Sequence, residues 1–370
     1  MANILVSLIS EQAIPNLLLM KEIVDIDEHL FVSTERMENE GKSEQLKKAA
    51  SLSEDIVKKI IVQQDSLTDI NQQLEKGKYR DDDKFWVNVT GGTKLMSLGV
   101  FNFFRNLQSE IFYVPIGSDV YWKIFPQVRN KKRKIKVNLG LQEYLTAYGI
   151  SITNEEKINQ LTRPAADTLL FYKSFRAFEK SDFAVISTLR NFRNKKQVPL
   201  DVNAANILLK RWKFKPHNEL FLTREEIDYL TGSWFEEYVY NWMKDFLDLK
   251  KREIGTSVKI TRNSVQNEFD VLFVYHNTMY MIECKTGLWD SAADRNILNE
   301  TIYKLEALRN DFGLYVKPYI FTLTERGDER FQVKRTNIDR ARHFRIEIVD
   351  GTTLKEPAER AKLISTIKGR

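Results

Sequence analysis

Apolar positions along the chain fall into two regimes. Up to about residue 135, short apolar runs of strand length alternate with stretches whose apolar residues recur at helical spacing. Ile4–Ile9 (ILVSLI) predicts a buried strand, and residues 13–24 (AIPNLLLMKEIV) predict a helix with Pro15 in its first turn. His29–Ser33 predicts a second strand. Ser43–Gln64 predicts one long amphipathic helix. Lys84–Val89 (KFWVNV) predicts a third strand, after which Thr90-Gly91-Gly92-Thr93-Lys94 opens an apolar helix reaching about Phe104. Glu110–Val114 and Val120–Phe125 add two more strands. This alternation predicts an open, largely parallel sheet with helices on both faces.

At its end, residues 129–136 (RNKKRKIK) form a basic run, open to reading as a nucleic-acid contact, a solvated linker or an edge strand. Residues 139–225 predict a mostly helical connector, broken at Gly149, Pro164 and Pro199, with another break at Pro216. Within it, 209–215 (LKRWKFK) alternates basic and aromatic residues, as a nucleic-acid surface or the edge strand of a small winged unit would. A second α/β pattern follows. It has a helix over Trp234–Leu247 and strands over Ser257–Arg262, Asp270–Tyr275 and Met279–Lys285. A helix over Asn296–Asn310 and strands at Pro318–Thr324 and Phe344–Val349 complete it. The expected division is 1–138, a Rossmann-like ligand-sensing domain; 139–225, the connector; and 226–370, a second α/β domain.

Composition narrows the class. The chain has 370 residues, 57 Lys and Arg against 51 Asp and Glu, and 42% hydrophobic residues, an ordinary globular balance with a net charge of +6. A single cysteine, Cys284, excludes an intrachain disulfide and a cysteine-based zinc site, and the four scattered histidines show no metal spacing. The apolar start is interrupted by Ser7, Ser10, Glu11 and Gln12 long before a membrane span's length, and it lacks a basic leader. A cytoplasmic protein with no membrane partner is expected, and the mild basic lean fits a polyanionic partner.

The sharpest chemistry lies in Asp270 and in Glu283-Cys284-Lys285. On a strand, Glu283 and Lys285 share one face while Cys284 faces the other with Tyr280 and Ile282. A hairpin brings Asp270 beside Glu283. Two converging carboxylates repel unless a divalent cation sits between them, and a lysine beside them can orient water or steady phosphate charge. A surface ion pair is the alternative, but the strand around the pair (YMIEC) is apolar, which makes unassisted charges costly. Asp270 and Glu283 are therefore the expected metal ligands, with Lys285 catalytic. Lys304, on the following helix, is a candidate phosphate contact or a solvated lysine.

In open α/β sheets, ligands bind beyond the carboxyl ends of the strands. The loops there offer Ser10, Gln12 and Asn16 after the first strand and Ser33 after the second. Thr90, Gly91, Gly92, Thr93 and Lys94 follow the third. Two glycines permit close backbone approach, and the helix start presents free N–H groups to phosphate. The spacing is not that of a P-loop, and a plain strand-to-helix turn is the other reading.

The C-terminal pattern resembles the PD-(D/E)xK nuclease superfamily: Glu236 in GSWFEEY, Asp270 in NEFDVLF, and Glu283 and Lys285 in IECKTG. Phe269 stands where that family usually has proline; the pattern leaves open which of Glu236 and Glu237 faces the metal, and Glu268 is a further acid near it. Joined to the N-terminal NILVSLISEQAIPN and VNVTGGTKLMSLGVF, it is similar to the CARF-domain nucleases of type III CRISPR defence, in particular to single-CARF members. That resemblance implies a homodimer that binds cyclic tetra-adenylate across paired CARF domains. It also implies an endonuclease, using Mn²⁺ or Mg²⁺, that cuts single-stranded DNA or RNA or nicks duplex DNA, with Glu236 assisting Asp270, Glu283 and Lys285. The competing expectation is a CARF-type transcription regulator without cleavage, contacting DNA through 129–136 and 209–215. A restriction-type nuclease without a second messenger leaves the Ser10 and Thr90 loops without a purpose.

Overall fold

The structure, a computed structural model, describes residues 1–129, 131–290, 295–325 and 335–369. Its first part runs β1 (Asn3–Leu8), α1 (Ile14–Glu22), β2 (Glu28–Ser33), α2 (Glu35–Asn39), α3 (Lys42–Ala50), β3 (Val57–Ile61), α4 (Leu67–Glu75), β4 (Lys84–Asn88), α5 (Lys94–Phe104), β5 (Ser109–Tyr113), β6 (Val120–Phe125) and β7 (Lys132–Lys134). The sheet order is β3-β2-β1-β4-β5-β6-β7, parallel from β3 to β5 and antiparallel beyond. The basic run at 129–136 contributes β7, a three-residue edge strand with exposed side chains.

The long helix expected over 43–64 is instead α3 followed by an edge strand. Ser51 takes a left-handed conformation (φ 56°) and ends α3. The β-branched run Ile56-Val57 and Ile60-Ile61-Val62 then favours extended chain, and Val57–Ile61 pairs with β2. Helical spacing fitted this stretch only because Lys58 and Lys59 interrupt the run. A further helix, α4, lies within the stretch after β3 and starts at a Ser66 cap accepting from Asp69 N–H at 3.2 Å.

One polar stitch fixes the centre of this sheet. Asn16 donates to Leu8 O at 2.7 Å, and Asn88 donates to Asn16 Oδ1 at 2.8 Å. Asn88 Oδ1 in turn accepts from Thr90. The ends of β1 and β4 are thus tied to the start of α1 by fully buried groups.

The second sheet belongs to β8 (Ser151–Ile152), which follows α6 (Leu141–Ala147), and to later strands. Between them lie α7 (Ala165–Phe175), α8 (Lys180–Arg190), β9 (Gln197–Pro199), α9 (Val202–Asn206), β10 (Phe221–Thr223), α10 (Arg224–Asp228) and α11 (Trp234–Leu247). Then come β11 (Ile254–Arg262), β12 (Val265–Tyr275), β13 (Thr278–Lys285), the small ribbon β14 (Trp289–Asp290) and β15 (Arg295–Asn296), and α12 (Ile297–Arg309). After β16 (Val316–Thr322) the chain adds α13 (Arg335–His343), β17 (Glu347–Val349), α14 (Gly351–Lys355) and α15 (Pro357–Ile367). The order is β17-β16-β13-β12-β11-β8. Asp270 therefore stands inside a strand rather than at its start, and residues 344–346 precede the last strand.

Two faces of this sheet meet different partners. Tyr280, Ile282 and Cys284 face the core that includes Trp234, Val239 and Met243 of α11. Met279 and Met281 face the core shared with Leu298, Ile302 and Leu305 of α12. That second core continues without a break through α6 into Leu5, Leu17 and Phe31, so the two sheets share apolar packing. Polar links reinforce the seam: Lys21 pairs with Glu143 at 2.7 Å, and Tyr144 donates to Phe312 O at 3.1 Å.

In the connector, LKRWKFK is not an edge strand. Ile207–Arg211 form a π-helical turn, Trp212 and Phe214 are buried, and Arg211, Lys213 and Lys215 point outward. Phe171, Trp212, Phe214 and Tyr229 pack with Trp234 of α11 in one aromatic core. No helix among the described residues is long and apolar enough to cross a membrane.

Two stability outcomes follow. Asn16→Ala orphans Leu8 O and Asn88, and is expected to cost about 1–3 kcal/mol, read from the urea unfolding midpoint. His29 is buried on β2, and burial lowers its pKa to about 4 from 6.5. Its neutral form is favoured in the folded chain, so this contribution is present above pH 6.5 and lost as pH falls towards 4. His29→Leu is expected to flatten the stability profile in that window; an unchanged profile would assign the acid sensitivity to other groups.

Candidate functional site

The catalytic candidates meet where β12 and β13 part. The ladder runs from Tyr275↔Thr278 to Val271↔Ile282, and the next position places Asp270 across from Glu283. There the side chain of Asp270 takes over from the backbone: Asp270 Oδ2 accepts from Cys284 N–H at 2.6 Å. On its other side β13 stays paired with β16, Glu283 opposite Ile320 and Lys285 opposite Thr322. Glu283 is thus held in a central strand with its side chain only 2% exposed.

Lys285 Nζ lies 3.1 Å from Asp270 Oδ2 and 3.0 Å from Glu283 Oε2. The other Glu283 oxygen accepts from Lys304 Nζ at 2.6 Å, and Lys304 also donates to Glu268 O at 2.9 Å. Lys304 of α12 therefore faces the site. Glu236 enters from the opposite layer on α11, and Ser257 Oγ donates to its Oε2 at 3.0 Å. Ser257, with a positive φ of 47°, stands opposite Asp270 in the β11–β12 register. Its part was invisible in sequence, because a serine inside a strand pattern carries no signal of a left-handed backbone.

Charge follows from this enclosure. Burial raises the Glu283 pKa, and the neighbouring Asp270 raises it further against the pull of Lys285 and Lys304. Glu236 is pushed well up, first by burial and then by Asp270. Burial alone would lower Lys285, but Asp270 and Glu283 outweigh it and hold the ammonium above its ordinary value. Among the described residues no trio of Asp, Glu, His or Cys is already arranged as a metal cage. Asp270 and Glu283 nonetheless supply hard oxygen donors at one point, the donor chemistry of Mg²⁺ or Mn²⁺ sites.

Glu237 is excluded from this centre. Its carboxylate accepts from Thr162 N–H at 2.7 Å and Arg163 N–H at 3.3 Å, anchoring the connector. Glu268 is exposed and lies 3.8 Å from Lys259.

A second site opens at the carboxyl ends of β1, β2 and β4, a cleft of about 380 Å³. Ser10, Gln12 and the loop Thr90, Gly91, Gly92 and Thr93 line it. A Cβ on Gly91 would stand 2.1 Å from Leu8 O, so the loop lies directly on the end of β1. Gly92 has φ +71°. Thr93 caps α5, accepting from Met96 N–H at 3.2 Å.

Three expected residues lie elsewhere. Asn16 is turned inward into the stitch with Asn88. Ser33 is fully buried and donates to Glu38 at 2.6 Å, because β2 extends through it. Lys94 is exposed on the first turn of α5 and does not line the cleft. Thr34, Arg36, Met96, Ile116 and Leu314 line it instead. Arg36, paired with Glu11 at 2.9 Å, could have been noticed as the cation in the first turn after β2. Leu314 could not, since it comes from 302 residues away: its N–H donates to Gln12 Oε1 at 3.0 Å.

Comparison with known proteins finds a domain match in each half of the chain. Residues 4–144 match the family model of the Card1 CARF domain, and residues 223–362 match that of the Card1-like endonuclease domain. No curated protein sequence matches the chain. Among solved structures, Can2 from Sulfobacillus thermosulfidooxidans in complex with cyclic tetra-adenylate is 22% identical with a TM-score of 0.71, over 98% of this chain and 99% of that one. A crystal structure of a Vibrio cholerae protein is 18% identical with a TM-score of 0.72, over 99% and 98%. A type III CRISPR defence DNA nuclease activated by cyclic oligoadenylate is 15% identical with a TM-score of 0.55, covering 88% of this chain and 46% of that one. These three likenesses establish the fold. With a Card1 CARF domain and a Card1-like endonuclease domain in one polypeptide, the chain has the domain pair of the Card1-like CARF nucleases.

Proposed function

We propose that this protein is a metal-dependent endonuclease switched on by cyclic tetra-adenylate, acting as a homodimer on single-stranded DNA or RNA or nicking duplex DNA. The observation that carries the reading is the meeting of Asp270, Glu283 and Lys285 at one desolvated point. A regulator that only binds DNA has no use for two carboxylates held beside a lysine at the cost of burial.

Asp270 and Glu283 would hold Mn²⁺ or Mg²⁺, which when bound supplies Lewis acidity at the scissile phosphate. Lys285 stays protonated, so its ammonium donates rather than accepts: it would orient the attacking water or stabilise charge developing on a phosphate oxygen. Lys304, now paired with Glu283, lies on the same side and would meet a phosphate oxygen from α12. Glu236 would support the Asp270 side, fixed by Ser257.

For the switch, a two-fold-symmetric cyclic tetranucleotide suits the axis of a C₂ dimer, where both subunits present the same loops. The route to the nuclease is short. Gln12 in the cleft holds Leu314, and Leu314 lies between α12, which carries Lys304, and β16, which is paired along β13 to Glu283 and Lys285. A ligand that binds better when Gln12 releases this segment shifts both elements that shape the site.

Cleavage of single-stranded and duplex DNA and of RNA, with and without cyclic tetra-adenylate and each metal, is the direct test. Activator-dependent DNA binding without cleavage would favour the regulator instead. Asp270→Ala, Glu283→Ala and Lys285→Ala are each expected to abolish cleavage with ligand binding retained, and a double variant to be scarcely worse than a single one. Glu237→Ala is expected to lower stability.

Gly92→Val strains a left-handed backbone and presses on Met96. It is expected to lose stimulation, and Arg36→Ala to weaken ligand binding roughly tenfold. Both are read by calorimetry beside cleavage rates. Wild-type binding and stimulation in Gly92→Val would place the activator elsewhere.

A further inference from the structure

The chain's net charge is not spread along it. Residues 145–222, the stretch between the CARF and endonuclease matches, hold 13 Lys and Arg against 7 Asp and Glu, a net of +6, whereas the remaining residues balance at 44 of each. The whole excess of the protein therefore sits in one segment that neither domain model accounts for.

The fold turns this excess outward. From Arg211 to Pro216 exposure alternates, with Trp212, Phe214 and Pro216 buried and Arg211, Lys213 and Lys215 exposed. The aromatic residues that could have stacked on bases are spent on the core with Phe171 and Trp234, and the cations are left in solvent. Arg211 spans to the start of α8, 3.0 Å from Glu179 and 2.6 Å from Asp182, which ties the 207–216 segment to α8. Lys173, Arg176, Lys180, Lys210, Lys213 and Lys215 have no ion-pair partner among the described residues. Phe183, 45% exposed, follows Lys180 by three residues on α8 and so shares its face.

The module is seated on the active-site helix. Glu237, which binds the backbone of Thr162 and Arg163, is the neighbour of Glu236, and Trp234 in the same turn packs against Phe171 and Phe175. Cations without ion-pair partners, on a module that packs against the helix carrying Glu236, match a polyanionic backbone.

We propose that the outward basic face of residues 164–222 is the nucleic-acid backbone-binding surface of this protein. The inference rests on the nuclease reading for its choice of partner, and it places the main substrate contact outside both matched domains. Five of the six cations without ion-pair partners are lysines, whose flexible ammonium acts as a point charge suited to phosphate.

The test is binding of a fluorescently labelled oligothymidylate to the full-length protein in chelator, so that no cleavage occurs. The variant is Lys210→Gln with Lys213→Asn and Lys215→Gln, Asn being suited to the positive φ at Lys213. A charge-matched control carries Lys48→Gln, Lys76→Gln and Lys78→Gln on the N-terminal domain. The module variant is expected to bind roughly tenfold or more weakly at low salt and to lose about 2 from the slope of log affinity against log salt. The control should stay within about twofold of wild type, and both variants should unfold at the wild-type temperature and bind cyclic tetra-adenylate normally. Wild-type oligonucleotide affinity in the module variant, or an equal loss in the control, would overturn the proposal. Metal-dependent cleavage by the wild type separates the two readings: binding lost in the module variant without any wild-type cleavage would sink the nuclease and keep the surface. Normal binding and cleavage by the module variant would do the reverse.

Discussion

Everything in the second domain is arranged around a repulsion. Asp270 and Glu283 are brought to one point by the pairing of β12 with β13, and burial denies both the water that would screen them. The Lys285 ammonium between them, Lys304 on the far oxygen of Glu283 and the Cys284 amide on Asp270 are what make that approach tolerable. Leaving such charges unpaired in the interior costs several kcal/mol. On the proposed reading, a cation or a phosphate would be what this buried cluster is kept for.

The same geometry gives the site its outside connections. Glu283 and Lys285 lie on a strand whose parallel partner, β16, begins just after Leu314, and Lys304 lies on the helix that ends just before it. Leu314 is held by Gln12 at the mouth of the N-terminal cleft. Because one apolar core runs from α1 through α6 to α12, a displacement at the cleft, on the proposed reading, would be passed to packed elements rather than absorbed by a loose linker. Coupling of this kind needs two arrangements of the 313–315 segment with different affinities for ligand.

Much of this was legible in the residues. Alternation over Tyr280–Lys285 separates Glu283 and Lys285 from Cys284 because strand geometry is local, and the α/β class follows from element order. What sequence could not give is set by partners far along the chain. Val57–Ile61 became a strand because β2 offered an edge. Trp212 and Phe214 became core because α11 supplied Trp234. Asn16, in the first turn of α1, and Ser33, the last residue of β2, both lie by the carboxyl ends of strands, yet Asn88 and Glu38 claim them. Glu236 and Glu237 are equal as letters, and only the helix phase of α11 sends one to Ser257 and the other to Thr162.

The central claim is that Asp270 and Glu283 form one cation-binding point. Titration of Mn²⁺ into the protein, followed by electron paramagnetic resonance, measures this without any substrate. The account predicts saturable Mn²⁺ binding by the wild type, weakened roughly tenfold or more in Asp270→Asn and in Glu283→Gln while both variants keep the wild-type fold. Equal Mn²⁺ affinity in all three proteins would contradict it.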